Sequence, residues 1–211
     1  GRYVLLSYIK NPFTLLLISA IISIAVLLTI NASVQQKNIA DNVLRLHITA
    51  DSNSPYDQLV KLSVRDYILK NYGFIFSDCS SFDKAKEIAE KYTDQIQKDV
   101  SNELEKFSKT YPVSVAVKEC SFPIKNYGDL TLPAGRYTAL NITLGSGRGR
   151  NWWCVMYPPL CLVPGTVVTE NKALDNLKAN LSPQEYEFIT DSDSINIKMK
   201  FKITEIIERL R

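Results

Sequence analysis

His47 is the single histidine of the chain, so any acyl-transfer centre that sets an imidazole base beside a serine or cysteine nucleophile must be built on it. Cys154 is the nucleophile to test. The other thiols are Cys79, Cys120 and Cys161, and the Cys-x6-Cys spacing from Cys154 to Cys161, in a chain with one imidazole, lacks the close ligand pairs of a zinc site. A pair of carboxylates can hydrolyse a glycosidic bond without histidine. Asp51 and Asp66 flank the first predicted helix and are the candidates for an exported carboxylate-dependent hydrolase, the alternative reading of the chain. Asp191-Ser-Asp-Ser194 offers two acids but lacks the glycine and distal glutamate of a calcium loop. Gly145-Ser-Gly-Arg-Gly-Arg150 has the look of a phosphate cradle, which requires a helix N-terminus directly after the glycines. A strand pattern follows instead, and the stretch is expected to be a flexible hairpin connection with exposed arginines.

The inventory therefore favours a protein that is not an enzyme, with no catalytic, metal or cofactor-binding set. Trp152-Trp153-Cys154-Val-Met-Tyr157-Pro-Pro-Leu-Cys161 holds both tryptophans of the chain, a tyrosine and a diproline within ten residues. On a strand Trp152 and Trp153 point to opposite faces, so one is free to join the core while the other covers the far side of the sheet. Aromatic side chains dominate interface hot spots. Trp152, Trp153, Tyr157, Pro158 and Pro159 are accordingly the expected partner-binding group. Arg45 and His47, on the polar face of the first strand, are expected in a surface or interface role. Cys154 and Cys161 flank a segment that Pro158 and Pro159 turn back, so their disulfide is the favoured pairing, with a stabilisation of about 2 to 3 kcal/mol. Cys79 and Cys120 read either as a second bridge or as two separate thiols.

The elements that must position these groups follow from periodicity. Val43 to Thr49 alternates as a strand, with Leu44, Leu46 and Ile48 on one face and Arg45, His47 and Thr49 on the other. Ser54 caps a helix with Pro55 in its first turn and Asp57 facing back to the cap. Val60, Val64, Tyr67 and Ile68 form its buried stripe, and Gly73 is expected to end it. A longer helix after Ser81 carries Phe82, Ala85, Ala89, Tyr92, Ile96, Val100, Leu104 and Phe107 on one side and charges on the other. The period then changes to two at Val113, Val115 and Val117, again at Leu140, Ile142 and Leu144, and again from Asn151 to Tyr157. Gly128, Pro133 and Gly135 mark turns. Past Pro164 and Gly165 come a short helix near Thr169, a capping box at Ser182-Pro-Gln-Glu185, and a final segment, residues 195–211, that fits strand-then-helix or one helix. The fold class expected is α+β: a mixed or antiparallel sheet of about four strands, two helices inserted after the first strand, a smaller helical C-terminal region and one N-terminal transmembrane or signal helix.

The chain has 211 residues, 45% hydrophobic and 22% charged, with a formal charge of +3. That size holds one ordinary domain and an appendage. Phe13 to Ile30 is an uncharged run of eighteen residues, about 27 Å as a helix. Arg2 and Lys10 precede it and the next charge is Lys37, so the positive-inside bias puts the N-terminus in the cytoplasm and the rest across the membrane. These two cations account for +2 of the formal +3. The exported remainder is nearly neutral, which argues against nucleic-acid binding. The expected organisation is a membrane anchor or signal over 1–34, a tether over 35–41, an exported core over 42–163 and a C-terminal helical extension over 164–211.

Leu44-Arg-Leu-His47-Ile-x-Ala50, Ser54-Pro55, Asp57-Gln58, Lys61-Leu62, Val64-Arg65-Asp66, Leu132-Pro133-Ala134-Gly135-x-Tyr137, Asn151-Trp-Trp-Cys154 and Pro158-Pro-Leu-Cys161 together resemble the stage II sporulation protein R family. The likeness covers roughly residues 41 to 163 and the membrane-directed head. Where that family commonly has Asn-Ser-Asp after its first strand, this chain has Asp51-Ser52-Asn53. The resemblance implies an exported sporulation signal rather than a catalyst: a protein made in the forespore and sent into the space between the two sporulation membranes. There it would bind a membrane-embedded aspartic protease as its partner and trigger processing of the sigma-E precursor, with no small-molecule substrate of its own.

Overall fold

The computed structural model describes residues 11–127, 130–160, 178–179 and 181–190. The expectations for Gly128, Cys161, Pro164, Gly165, Thr169, Asp191 to Ser194 and residues 195–211 lie outside them. In chain order the elements are α1 (Pro12–Asp41), β1 (Leu44–Thr49), α2 (Pro55–Ser77), α3 (Phe82–Lys91), α4 (Thr93–Glu105), β2 (Val113–Phe122), β3 (Lys125–Tyr127), β4 (Leu130–Leu132), β5 (Gly135–Leu144), β6 (Asn151–Tyr157) and α5 (Pro183–Thr190). The chain divides into two units, residues 1–37 and 38–211.

The first unit holds the apolar part of α1, a helix long and apolar enough to cross a membrane. Phe13, Leu16, Ile21, Ile22 and Leu27 are among its exposed side chains. Residues 35–41, expected as a tether, are instead the last turns of this helix.

The second unit is a mixed sheet with α2, α3 and α4 on one face and α5 at the other, which is the α+β arrangement expected. Strand order is β2-β5-β1-β6. β1 runs parallel to β5 and antiparallel to β6, while β2 pairs antiparallel with β5. Alternation sends Leu44, Leu46 and Ile48 of β1, with Leu140, Ile142 and Leu144 of β5, into one core. Val60, Val64 and Ile68 of α2 and Ile96, Val100 and Leu104 of α4 meet them there. A smaller core on the opposite face gathers Val43, Phe122, Leu130, Leu132, Tyr137, Val155 and Ile189.

Cap chemistry sets the helix starts. Asp57 N–H donates to Ser54 Oγ at 3.1 Å, Lys84 N–H to Ser81 Oγ at 3.2 Å, and Ser182 with Glu185 exchange the two bonds of a capping box. Three expectations change. α2 continues past Gly73 to Ser77, because Phe76 is buried in the core and a helical glycine costs only about 1 kcal/mol. The long helix is broken at Tyr92 into α3 and α4; the buried positions stay in phase across the break, so periodicity could not reveal it. β5 and β6 are not hairpin partners, because β1 lies between them. The connection 145–150 therefore crosses the end of β1. It is fastened there by Arg148 N–H to Asp51 O at 3.1 Å and Gly149 N–H to Ala50 O at 2.8 Å.

Candidate partner-binding site

β6 is an edge strand, and its period of two splits the paired tryptophans. Trp152 lies opposite Ile48 and Trp153 opposite His47, so Trp152 packs against the α2 core and Trp153 against the smaller one. Each ring carries a cation on its face: Arg65 of α2 sits 4.4 Å from the Trp152 centroid and Lys125 of β3 sits 4.5 Å from that of Trp153. Such contacts are worth about 0.5 to 1 kcal/mol where exposed. Arg65 also pairs with Asp66 at 2.6 Å. An open groove of about 620 Å³ runs along this edge, bounded by both tryptophans, both cations, Tyr127 and Leu160.

Behind the groove lies Arg45, and here the expectation of a surface role fails. Arg45 is fully buried, with its guanidinium 4.3 Å from the Phe122 ring and 4.9 Å from that of Tyr137. Nε donates to Cys154 O at 3.0 Å and Nη2 to Tyr127 Oη at 2.8 Å. Burial lowers its pKa, against the opposing pull of Tyr127 and Tyr137. Phe122 and the β3–β4 hairpin cover this end of the polar face, a covering that alternation within one strand cannot report.

His47, two residues on, remains partly exposed. Its Nδ1 accepts from Asn141 Nδ2 at 2.9 Å, which leaves Nε2–H to donate to Asn151 Oδ1 at 3.0 Å. Thr49 Oγ1 donates to the same Asn151 oxygen at 2.9 Å. The imidazole lies parallel to the Trp153 ring, 6.1 Å away, and tilted against Phe122 at 5.7 Å. Burial holds its pKa below the ordinary value, reinforced by Lys118 and Arg45 and opposed by the Asn151 bond. Both ring nitrogens are thus engaged by asparagine side chains, with the indole alongside.

The candidate chemistries are separated by the same geometry. His47 pairs with Trp153 and Cys154 with Leu46, so the imidazole and the Cys154 sulfur point to opposite faces of the sheet. Asp51 Oδ1 accepts from Ser146 N–H at 2.6 Å and holds the crossing loop, while Asp66 is engaged by Arg65. Tyr157 is 2% exposed and Pro158 is buried beside it, which corrects their placement in the contact group. Pro159 is half-buried, and Cys161 lies outside the described residues. Cys79 and Cys120 are free thiols, which decides between the two readings left open for them. The cations on the indoles were not among the expected site residues. Arg65 sat in view on α2, but only the packing of α2 and β3 against the two sides of β6 brings Arg65 and Lys125 to one groove.

Fold and site together define a small α+β domain, led by an apolar helix, that presents an aromatic and cationic groove at the edge of a mixed sheet. The chain belongs to the stage II sporulation protein R family, whose model matches residues 40–166, and this membership ties it to sporulation. It is 38% identical over 125 residues to the stage II sporulation protein R of Bacillus subtilis (strain 168), a match that covers 59% of this chain and 56% of that protein. The chain thus aligns with little more than half the length of that relative. No solved structure matches it.

Proposed function

We propose that the protein is an exported intercellular signal of sporulation, which binds a membrane-embedded aspartic protease through the groove edge of its sheet and so causes processing of the sigma-E precursor. The observation that carries the reading is that the Asn-Trp-Trp-Cys segment, the most specific part of the family likeness, builds the groove around Trp152 and Trp153. Export is supported by Arg2 and Lys10 ahead of an apolar helix, in the orientation that leaves the sheet domain across the forespore membrane. Activation then needs only that the domain bind the active state of the protease more tightly than the inactive one.

Oxidation fits the same compartment. Cys154 pairs with Cys161 in this proposal, since Cys79 and Cys120 are free and Pro158 and Pro159 turn the chain between the two. The test is reconstitution: the purified chain, added to membranes that contain the protease and its precursor, is expected to start precursor cleavage. A correctly folded chain that leaves the precursor intact would sink the proposal.

A further inference from the structure

The groove at β6 has a one-sided chemistry. Among the described residues that line it, the charged ones are Arg65 and Lys125, both cations. Three buried polar atoms at or behind it have no hydrogen-bond partner among the described residues: Trp152 Nε1, Trp153 Nε1 and Arg45 Nη1. All three are donors. A buried donor without an acceptor costs roughly 1 to 3 kcal/mol, and a buried guanidinium without a carboxylate costs more. The cations are also held in place before any ligand arrives, each parked on an indole face at 4.4 and 4.5 Å, which reduces the ordering cost of binding. Asp66 engages Arg65 from outside and is half exposed, so an incoming carboxylate meets Lys125 as the unshared cation of the pair.

Two cations, of which Arg65 is shared with Asp66, define an acidic complement. We infer that the groove receives an extended acidic segment of the partner protein, whose carboxylates meet Lys125 and Arg65 on the faces of the two indoles. This deepens the signalling proposal at the same site and rests on it for the identity of the partner.

Both tryptophans of the chain lie in the groove, so tryptophan emission of the full chain in nonionic micelles reports on this site alone. The probe is an end-capped hexaglutamate peptide at low ionic strength, with hexaglutamine and hexalysine for comparison. A saturable emission change is expected with hexaglutamate only, weakened about tenfold or more by Lys125→Glu and unchanged by Lys86→Glu, an exposed cation on α3. Arg65→Gln serves as the second variant should Lys125→Glu lower the urea midpoint. Equal binding of hexaglutamine, an effect of Lys86→Glu as large as that of Lys125→Glu, or a response to phosphatidylglycerol vesicles without one to the peptide would overturn the inference. Precursor processing separates the two proposals. Undiminished processing by Lys125→Glu removes the acidic-segment inference and leaves the signal standing, whereas peptide binding without processing removes the signal and leaves the groove chemistry.

Discussion

Arg45 concentrates the physical problem of this protein in one side chain. A guanidinium in the interior is tolerated because three aromatic rings and two hydrogen bonds replace its water, yet Nη1 stays unpaired. Arg45→Ala is expected to destabilise the domain by about 3 kcal/mol, since it removes the bonds to the Cys154 carbonyl and the Tyr127 hydroxyl and opens a hole among the rings. Arg45→Lys should recover only part of this loss, because one ammonium cannot reproduce the forked geometry. Urea midpoints of the three proteins check both statements. His47 gives a second residue-scale prediction. Its folded pKa is lowered by burial, so as pH falls below about 6.5 the unfolded chain takes up a proton that the folded one resists. Stability is full above that pH, declines through the window down to the folded pKa, and levels off below it. The His47→Gln variant should lose this slope, and a wild-type pH profile no steeper than the variant's would refute it. Asp57 acts in a lower window: its pKa is depressed by Lys109, Ser52 and Ser54, so its contribution is present above the ordinary carboxylate range and is lost as pH falls. The residue types at these positions were visible in the chain. The burial of Arg45 was not, because it depends on Phe122 and Tyr127, about eighty residues away.

At the scale of elements, the crossing loop 145–150 decides where β6 and its tryptophans lie. It is held by bonds to the backbone of Ala50 and Asp51, by Asp51 on Ser146 N–H, and by buried Lys61, whose Nζ donates to Arg150 O at 3.1 Å. Gly149 permits this approach, for a Cβ there would run into the carbonyl oxygens of Ser52 and Ala50. Gly149→Ala is therefore expected to cost about 2 kcal/mol or more by forcing the two segments apart, and to shift tryptophan emission as the edge strand moves. A variant with unchanged midpoint and emission would show that the loop has room to adjust. Local signals described this stretch well as a glycine-rich connection between strands. They were silent on the strand it bridges, because a period of two identifies a strand without naming its neighbours. The same limit explains the break at Tyr92: helical phase is preserved across it, and only the packing of α3 and α4 as separate rods reveals the turn.

For the molecule as a whole, covalent and spatial arrangement make one further prediction. Non-reducing peptide mapping of the purified chain is expected to show Cys154 joined to Cys161, with Cys79 and Cys120 unpaired; recovery of Cys154 as a free thiol would refute the bridge. The sequence by itself determined the apolar helix, the alternating faces of β1 and β6, the capped starts of α2, α3 and α5, and the family likeness carried by the Trp-Trp-Cys segment. All of these rest on neighbours within a few residues, where hydrophobic period, caps and charge act directly. Only the tertiary structure decided that Arg45 is buried, that His47 and Cys154 are kept on opposite faces, and that Arg65 and Lys125 close on the two tryptophans. Each of these depends on which strand lies beside which, a choice made by the joint packing of distant segments into two cores on either side of one sheet.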